Sequence, residues 1–551
     1  MLTSPPRPPA DPHTVGARGN ISGRGGLFIM KAKSLALFTL ALLLAGAATA
    51  REARAQVQNT SPGRVYVILW FDTEDYILPQ SDDAAKRLAV FLTQQGIRAT
   101  FKVVGEKART LERRGRRDVI GALAQHEIGY HSNTHSQHPT PAEYEAPLDW
   151  TDGVEEFTRR EHTGFDDVRR IFGQTPNCYG QPGGSWAPES FAALKKWGVK
   201  VYLDEGTQVG LNGKPFWYGG LLNIFNTKEG EKLRPDGKEG WDGLADARAR
   251  FQEFYLRMTS RPEGGVISLY FHPCEFIHKE FWDGVNFARG ANPPPSEWQL
   301  PPMKSPEESE KAFKYFEDLV TYMKSFPRVE FITAAEALRL FSDPVQRHQF
   351  STEELAAIAK QVDPEVSFQV HDDYNLAASE VFFLLNRYVA GVVNKSPQTF
   401  LLLDGTPYGP ATPFEDAIAG RSDSPQPSGQ DAAASEILWS QFARTVLDVE
   451  DFLEKNEQIP SVVWFGSKPV RPESYLVALA QVTTRLLVRA EPPENVPLAP
   501  AHLAAAQYVA DDSPQLWGWV IFPPGFRAPK MMRLAKLQAW TLKPARLATL
   551  R

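Results

Sequence analysis

Hydrophobic and polar positions divide the chain into two stretches of different character. Residues 64–71 (RVYVILWF) are apolar without alternation and rich in β-branched and aromatic side chains. That is the pattern of a parallel strand buried on both faces. Ser81-Asp82-Asp83 caps a helix running to about residue 95, with Gly96 as its stop. A second strand is predicted over 99–104, a helix over about 116–125 and a short strand over 127–130. Later come a helix over 188–197 closed by Gly198, strands over 200–203 and 265–271, a helix over 306–325 and a last strand over 329–332. This alternation predicts an α/β domain with a mainly parallel sheet, open or closed into a barrel. Active sites of such folds gather at the C-terminal ends of the strands.

The alternation ends near Ser342, so residues 56–342 are read as one domain. Within it, 206–263 is Gly- and charge-rich and reads as an insertion. Residues 352–551 read as a mainly helical or mixed accessory region. Two apolar helical patches, 377–389 and 471–482, begin alike and are each followed by a polar loop and a Pro-containing stretch. They are read either as a diverged duplication, the mark of a repeated binding module, or as two ordinary amphipathic helices. The polar segment 420–434 between them reads as a linker.

The N-terminus is a targeting segment. Residues 30–33 are basic, 34–50 are apolar, and small-residue cleavage sites end at Ala50 and Ala55. Residues 30–55 therefore read as a signal peptide and 1–29 as a spurious upstream extension. The expected location is outside the cytoplasm: periplasm, cell envelope or medium. The apolar run is short for a bilayer span, so no stable membrane span is expected after cleavage.

Composition narrows the chemistry. The 551 residues are 42% hydrophobic and 23% charged, with a net charge of -6. A nucleic-acid partner is not expected, since its usual footprint is a strongly basic domain. Two cysteines, Cys178 and Cys274, cannot build a Cys-rich zinc site. Any metal must be held by His and carboxylate. Export would permit the two thiols to pair.

The first strand runs into Phe71-Asp72-Thr73-Glu74-Asp75. In extended chain Asp72 and Glu74 point one way and Asp75 the other. The segment His126-Glu127-Ile128-Gly129-Tyr130-His131-Ser132-Asn133-Thr134-His135 places two histidines four apart after a short strand. That spacing brings both rings to one face of a helical turn, where they reach one ion. Two histidines and a carboxylate suit zinc with an open position for water, and suit other divalent metals as well.

These two motifs resemble those of the polysaccharide deacetylases, carbohydrate esterase family four, also called the NodB-homology domain. Thr100-Phe101 leading to Gly105 is similar to the family's strand between them, and Leu269-Tyr270-Phe271-His272-Pro273 and Ile332-Thr333 with Ala335-Glu336-Ala337-Leu338 are similar to later elements of the same family. The resemblance covers about residues 64–341. It implies a deformed (β/α) barrel and removal of N-acetyl groups from an exported glycan such as peptidoglycan, with one divalent ion, zinc by preference. Asp72 would be the general base, Glu74 (or Asp75), His131 and His135 the metal ligands, and His272 the general acid. The family's third motif carries an Arg that pairs with the catalytic Asp. Here that stretch reads Tyr179-Gly180-Gln181-Pro182-Gly183-Gly184-Ser185-Trp186, without the guanidinium. Gln181 is then expected to offer a neutral hydrogen bond, Trp186 a stacking face for a sugar ring, and Asp204 a carboxylate orienting a catalytic histidine. Two alternatives remain at this point: a deacylase for another amide or O-acetyl substrate, and a non-catalytic glycan-binding protein on the same scaffold. The missing Arg argues for the second; the intact Asp72, His131, His135 and His272 argue against it.

Overall fold

The computed structural model describes residues 63–235, 240–396, 400–403, 405–419 and 435–548. The proposed extension and signal peptide, and the linker 420–434, lie outside the described residues. No helix among them is long and apolar enough to cross a membrane.

A curled, mostly parallel sheet organises the first part of the chain. Strand β1 (Val65–Thr73) is buried along its whole length and pairs with three other strands. Its pleat serves two cores. Val65, Val67, Leu69 and Phe71 pack into a large outer core under the helices, while Tyr66, Ile68 and Trp70 face an inner one. Strands β2 (Thr100–Val103), β3 (Glu127–Tyr130), β4 (Cys178–Tyr179), β5 (Val201–Asp204), β6 (Phe216–Tyr218), β7 (Leu221–Phe225) and β8 (Gly265–Phe271) extend the sheet, in the order β6-β7-β5-β4-β3-β2-β1-β8. Strand β9 (Val329–Ile332) pairs with residues 65–68 of β1, and β2 pairs with residues 70–73. Every pairing in this set is parallel except β6 with β7. The result is the half-barrel expected of the deacetylase type.

Two sequence expectations change. The stretch read as an insertion, 206–263, supplies β6 and β7, whose buried aromatic and aliphatic side chains place them in the sheet. Their shortness hid the period-2 signal. The region after 342 is also not separate. Helices Ala378–Val393, Trp439–Asn456 and Pro472–Arg489 do form a second core of their own. The chain then returns: Val509, Trp517, Phe522, Met531, Met532 and Leu542 join the outer core of the first part. Strand Lys543–Pro544 pairs antiparallel with β6 and adds an edge to the sheet. Lys543, 1% exposed, is fixed by Glu380 at 2.8 Å and Asp343 at 2.7 Å. The boundary at 342 thus marks where strand–helix alternation stops, while apolar burial continues across it.

Candidate active site

The pleat that places Tyr66, Ile68 and Trp70 inside the barrel carries Asp72 and Glu74 to the mouth of the same interior. Both are buried, at 5% and 3% exposure. Glu74 Oε2 lies 2.8 Å from His135 Nε2 and 3.3 Å from His131 Nε2. Trp282 Nε1 donates to the other oxygen of Glu74 at 2.9 Å. Glu74, His131 and His135 form the one trio of His, Cys, Asp or Glu among the described residues whose donor atoms converge within 4.8 Å.

The histidines are not on a helical turn as their spacing suggested. They sit in a loop after β3, with Ser132 (φ 65°) and His135 (φ 55°) in the left-handed region. Such conformations are costly for non-glycine residues and concentrate at functional sites. Here they bring the ring centroids to 5.0 Å.

The donor set fits a divalent cation. His131 Nδ1 lies 3.0 Å from the Gly180 carbonyl, and His135 Nδ1 lies 2.6 Å from Ser136 Oγ. Bonds at Nδ1 of this kind leave Nε2 free as a ligand. His135 Nε2 is buried with no hydrogen-bond partner, although Glu74 is adjacent. That orphaned atom is what a shared ion would satisfy. Burial by itself raises the Glu74 carboxyl, yet His135, His272 and His131 hold it well below its ordinary range. It is therefore an anion, as a ligand must be. Asp75 is excluded from the set. Its oxygens accept from Ile77 N, Leu78 N and the Ser81 hydroxyl, and lie 3.1 Å from His278 Nε2.

Asp72 stands beside the trio, 3.7 Å from His131 Nε2 and 3.8 Å from His272 Nε2. Strand register explains this. Phe71 is level with Phe271 of β8, so His272 emerges next to Asp72; on the other side Asp72 is level with Lys102 of β2. Lys102 Nζ lies 2.8 Å from Asp72 Oδ1 and 2.9 Å from Asp204 Oδ2. Burial alone would raise Asp72, but His131, Lys102 and His272 lower it. Burial pushes Asp204 up to about 7 against the pull of Lys102, with the Asp72 charge adding. His272, which burial would lower, is raised to about 9 by Glu74, Glu275 and Asp72. Its Nδ1 lies 3.5 Å from Glu275 Oε2.

Three expectations are corrected here, and the open question of the two cysteines is answered. Asp204 holds Lys102, and the carboxylate beside His272 Nδ1 is Glu275. Gln181 does not reach Asp72: its Oε1 accepts from Tyr202 at 2.8 Å. Trp186 is 1% exposed and packs on Phe191 and Tyr218, so it offers no face to a sugar. Cys178 and Cys274 are both free, buried thiols.

Four site residues were missed: Lys102, Glu275, Trp282 and Trp519. Lys102 was legible as a lone lysine in an apolar strand, because lysine is almost never fully buried unless paired. Trp519 carried no signal, being far away in the C-terminal region. Its ring stands edge-to-face with His135, centroids 5.3 Å apart, and its Nε1 donates to Asp283 at 2.9 Å. The close packing of its ring needs Gly183 (φ 48°), where a Cβ would come within 2.3 Å of the indole. A cavity of about 580 Å³ opens on the His272 side, with Glu205, Arg234, Trp241, Glu275, Phe281 and Lys304 among its lining. Phe281 also contacts the His272 ring edge-on at 5.0 Å.

Comparison with known proteins agrees with the motifs. Residues 59–202 match the family model for polysaccharide deacetylase. No curated protein matches the chain. Among solved structures, it is similar to a protein described as a probable polysaccharide deacetylase from Pseudomonas aeruginosa, with 12% identity over 50% of this chain and 90% of that one, and a TM-score of 0.35. It is also similar to the Puue allantoinase, with 12% identity over 51% and 91% and a TM-score of 0.34. A 4-alpha-glucanotransferase from Thermococcus litoralis gives 13% identity over 51% and 41% and a TM-score of 0.36. Likeness at this level carries no conclusion about activity.

Proposed function

We propose that this protein is a metal-dependent hydrolase that removes N-acetyl groups from a polysaccharide outside the cytoplasm, peptidoglycan being the foremost candidate. The observation that carries the reading is the convergence of Glu74, His131 and His135, flanked by Asp72 on one strand and His272 on the next. A divalent ion, zinc by preference, held by the trio would polarise the acetyl carbonyl and lower the pKa of its water to about 7. Asp72, anionic and outside the trio, is placed to take the proton of the attacking water. His272, protonated and backed by Glu275, is placed to give a proton to the departing amine, a role worth about 10²–10⁴-fold. Trp519 and Trp282 wall the ligand His135 and keep bulk water from its side.

The reading as a non-catalytic binder rested on the absent guanidinium. Lys102 puts a cation on Asp72, which supports an enzyme instead. The test is acetate release from a panel of glycans by the parent and Asp72→Asn at equal metal occupancy. Asp72→Asn is expected to bind metal and lose nearly all turnover. If it matches the parent, Asp72 is not the proton acceptor and the mechanism is wrong.

A further inference from the structure

We propose that Lys102 is the positioning residue of the proton acceptor: its ammonium, shared with Asp204, fixes the Asp72 carboxylate between His131 and His272. The assignment rests on the deacetylase reading for its catalytic meaning and on geometry for the rest.

Lys102 is fully buried, and its Nζ touches both carboxylates at under 3 Å. The ammonium also sits 4.2 Å above the Trp70 ring. Trp70 is itself held by a 2.9 Å bond from its Nε1 to Ser268 Oγ of β8. The cation is therefore clamped from three sides by β1 and β5 side chains. Space for it comes from position 180. A Cβ there would stand 1.9 Å from Nζ and 2.3 Å from Asp204 Oδ2, so the ammonium fills the volume a side chain at 180 would take.

Stability alone does not account for this arrangement. Burying three ionisable groups carries a desolvation cost that their mutual attraction only about offsets, and apolar residues of similar volume are often as stable or more so. A fold indifferent to Asp72 would lose nothing by having apolar residues at 102 and 204. What the ammonium adds is direction. Asp72 Oδ1 has no other hydrogen-bond partner, and Oδ2 is the oxygen that faces His272. Holding Oδ1 leaves Oδ2 aimed across the site.

The test separates positioning from mere structural support. Lys102→Met keeps the volume of the side chain and removes the charge. Lys102→Met/Asp204→Asn also removes the second carboxylate, which would otherwise stay buried without a partner. Crystal structures, metal content, thermal midpoint and acetate release are measured for both and for the parent. Lys102→Met is expected to lose thermal midpoint and about 10–100-fold in kcat, the loss of one charge-assisted contact, with KM and metal content little changed. The double variant is expected to regain the midpoint but not kcat, with Asp72 turned away from its parent position in both structures. Recovery of kcat together with the midpoint would make Lys102 a structural residue only and overturn the proposal. An unmoved Asp72 in either structure would do the same. Should the parent release acetate from no glycan, the deacetylase reading fails, and the position of Asp72 in the two variant structures still decides whether Lys102 positions it.

Discussion

Trp282→Phe tests the proposed metal centre without touching a proposed ligand. Trp282 is fully buried, with its ring against Tyr76, His135 and Phe287. Phenylalanine keeps much of that packing and removes one group, the indole N–H that donates to Glu74 Oε1 at 2.9 Å. That bond fixes which oxygen of Glu74 faces the histidines. A hydrogen bond to a charged acceptor is worth about 1.5–3 kcal/mol, which corresponds to about 10–100-fold in a binding constant. The same range describes the loss of outer partners in metal sites generally. The smaller ring also leaves a void, costing about 0.5–3 kcal/mol of global stability. The two effects are separable, because the void weakens the apo and metal-loaded forms alike and the lost bond weakens only loading. The assay is a competition titration of apo protein against a chromophoric chelator, with urea unfolding of the apo form beside it. Metal affinity that stays within about twofold of the parent, while His135→Ala abolishes binding, would show that Glu74 is not oriented by Trp282 and would refute the reasoning.

Other consequences can be measured on the same protein. Glu145 and Glu189 are fully buried, and all four of their carboxylate oxygens lack a partner. Burial raises Glu145 to about 10, with the Glu189 charge adding, and raises Glu189 to about 8. Folding therefore takes up protons above the ordinary carboxyl range, and stability falls as pH rises from about 4.5 towards 8. Glu189→Gln is expected to flatten that decline and raise the thermal midpoint at pH 8 by a few degrees; an unchanged slope would remove the argument. A fragment ending at Ser342 lacks the C-terminal residues that fill the outer core, and is expected to be insoluble or to bind ANS, so a soluble fragment with a cooperative melt would count against the shared core. Lys543→Met leaves Glu380 buried without its cation and is expected to cost about 3–5 kcal/mol in urea unfolding. Adding Glu380→Gln should return most of it, and failure to do so would mean the buried pair is not what holds the C-terminal strand.

The sequence disclosed the residues of the centre better than their arrangement. Asp72, Glu74, His131, His135 and His272 could be named because acids at a strand end and closely spaced histidines are local patterns. The partners of those residues depend on register, which one-dimensional spacing does not contain. Lys102 meets Asp72 because β1 and β2 pair with those residues level, and Glu275 approaches His272 through a single helical turn after β8. The histidine loop was misjudged because its left-handed residues, Ser132 and His135, are not glycines. Trp519 was out of reach altogether, since nothing in its neighbourhood signals that this segment comes back to the metal ligands.

That return has a temporal side. During synthesis the three proposed metal donors and the two proposed proton-handling groups, down to His272, are made long before the wall over His135. At about 5–20 residues per second, the interval to Trp519 is roughly 12–50 s. Throughout it the chain holds every reactive side chain of the centre, while the edge that Lys543–Pro544 adds to the sheet and the cover from Trp519 do not yet exist. An interrupted polypeptide would be fully equipped in its chemistry and open in its architecture. The cover over His135 thus comes from a segment that carries none of the proposed reactive side chains.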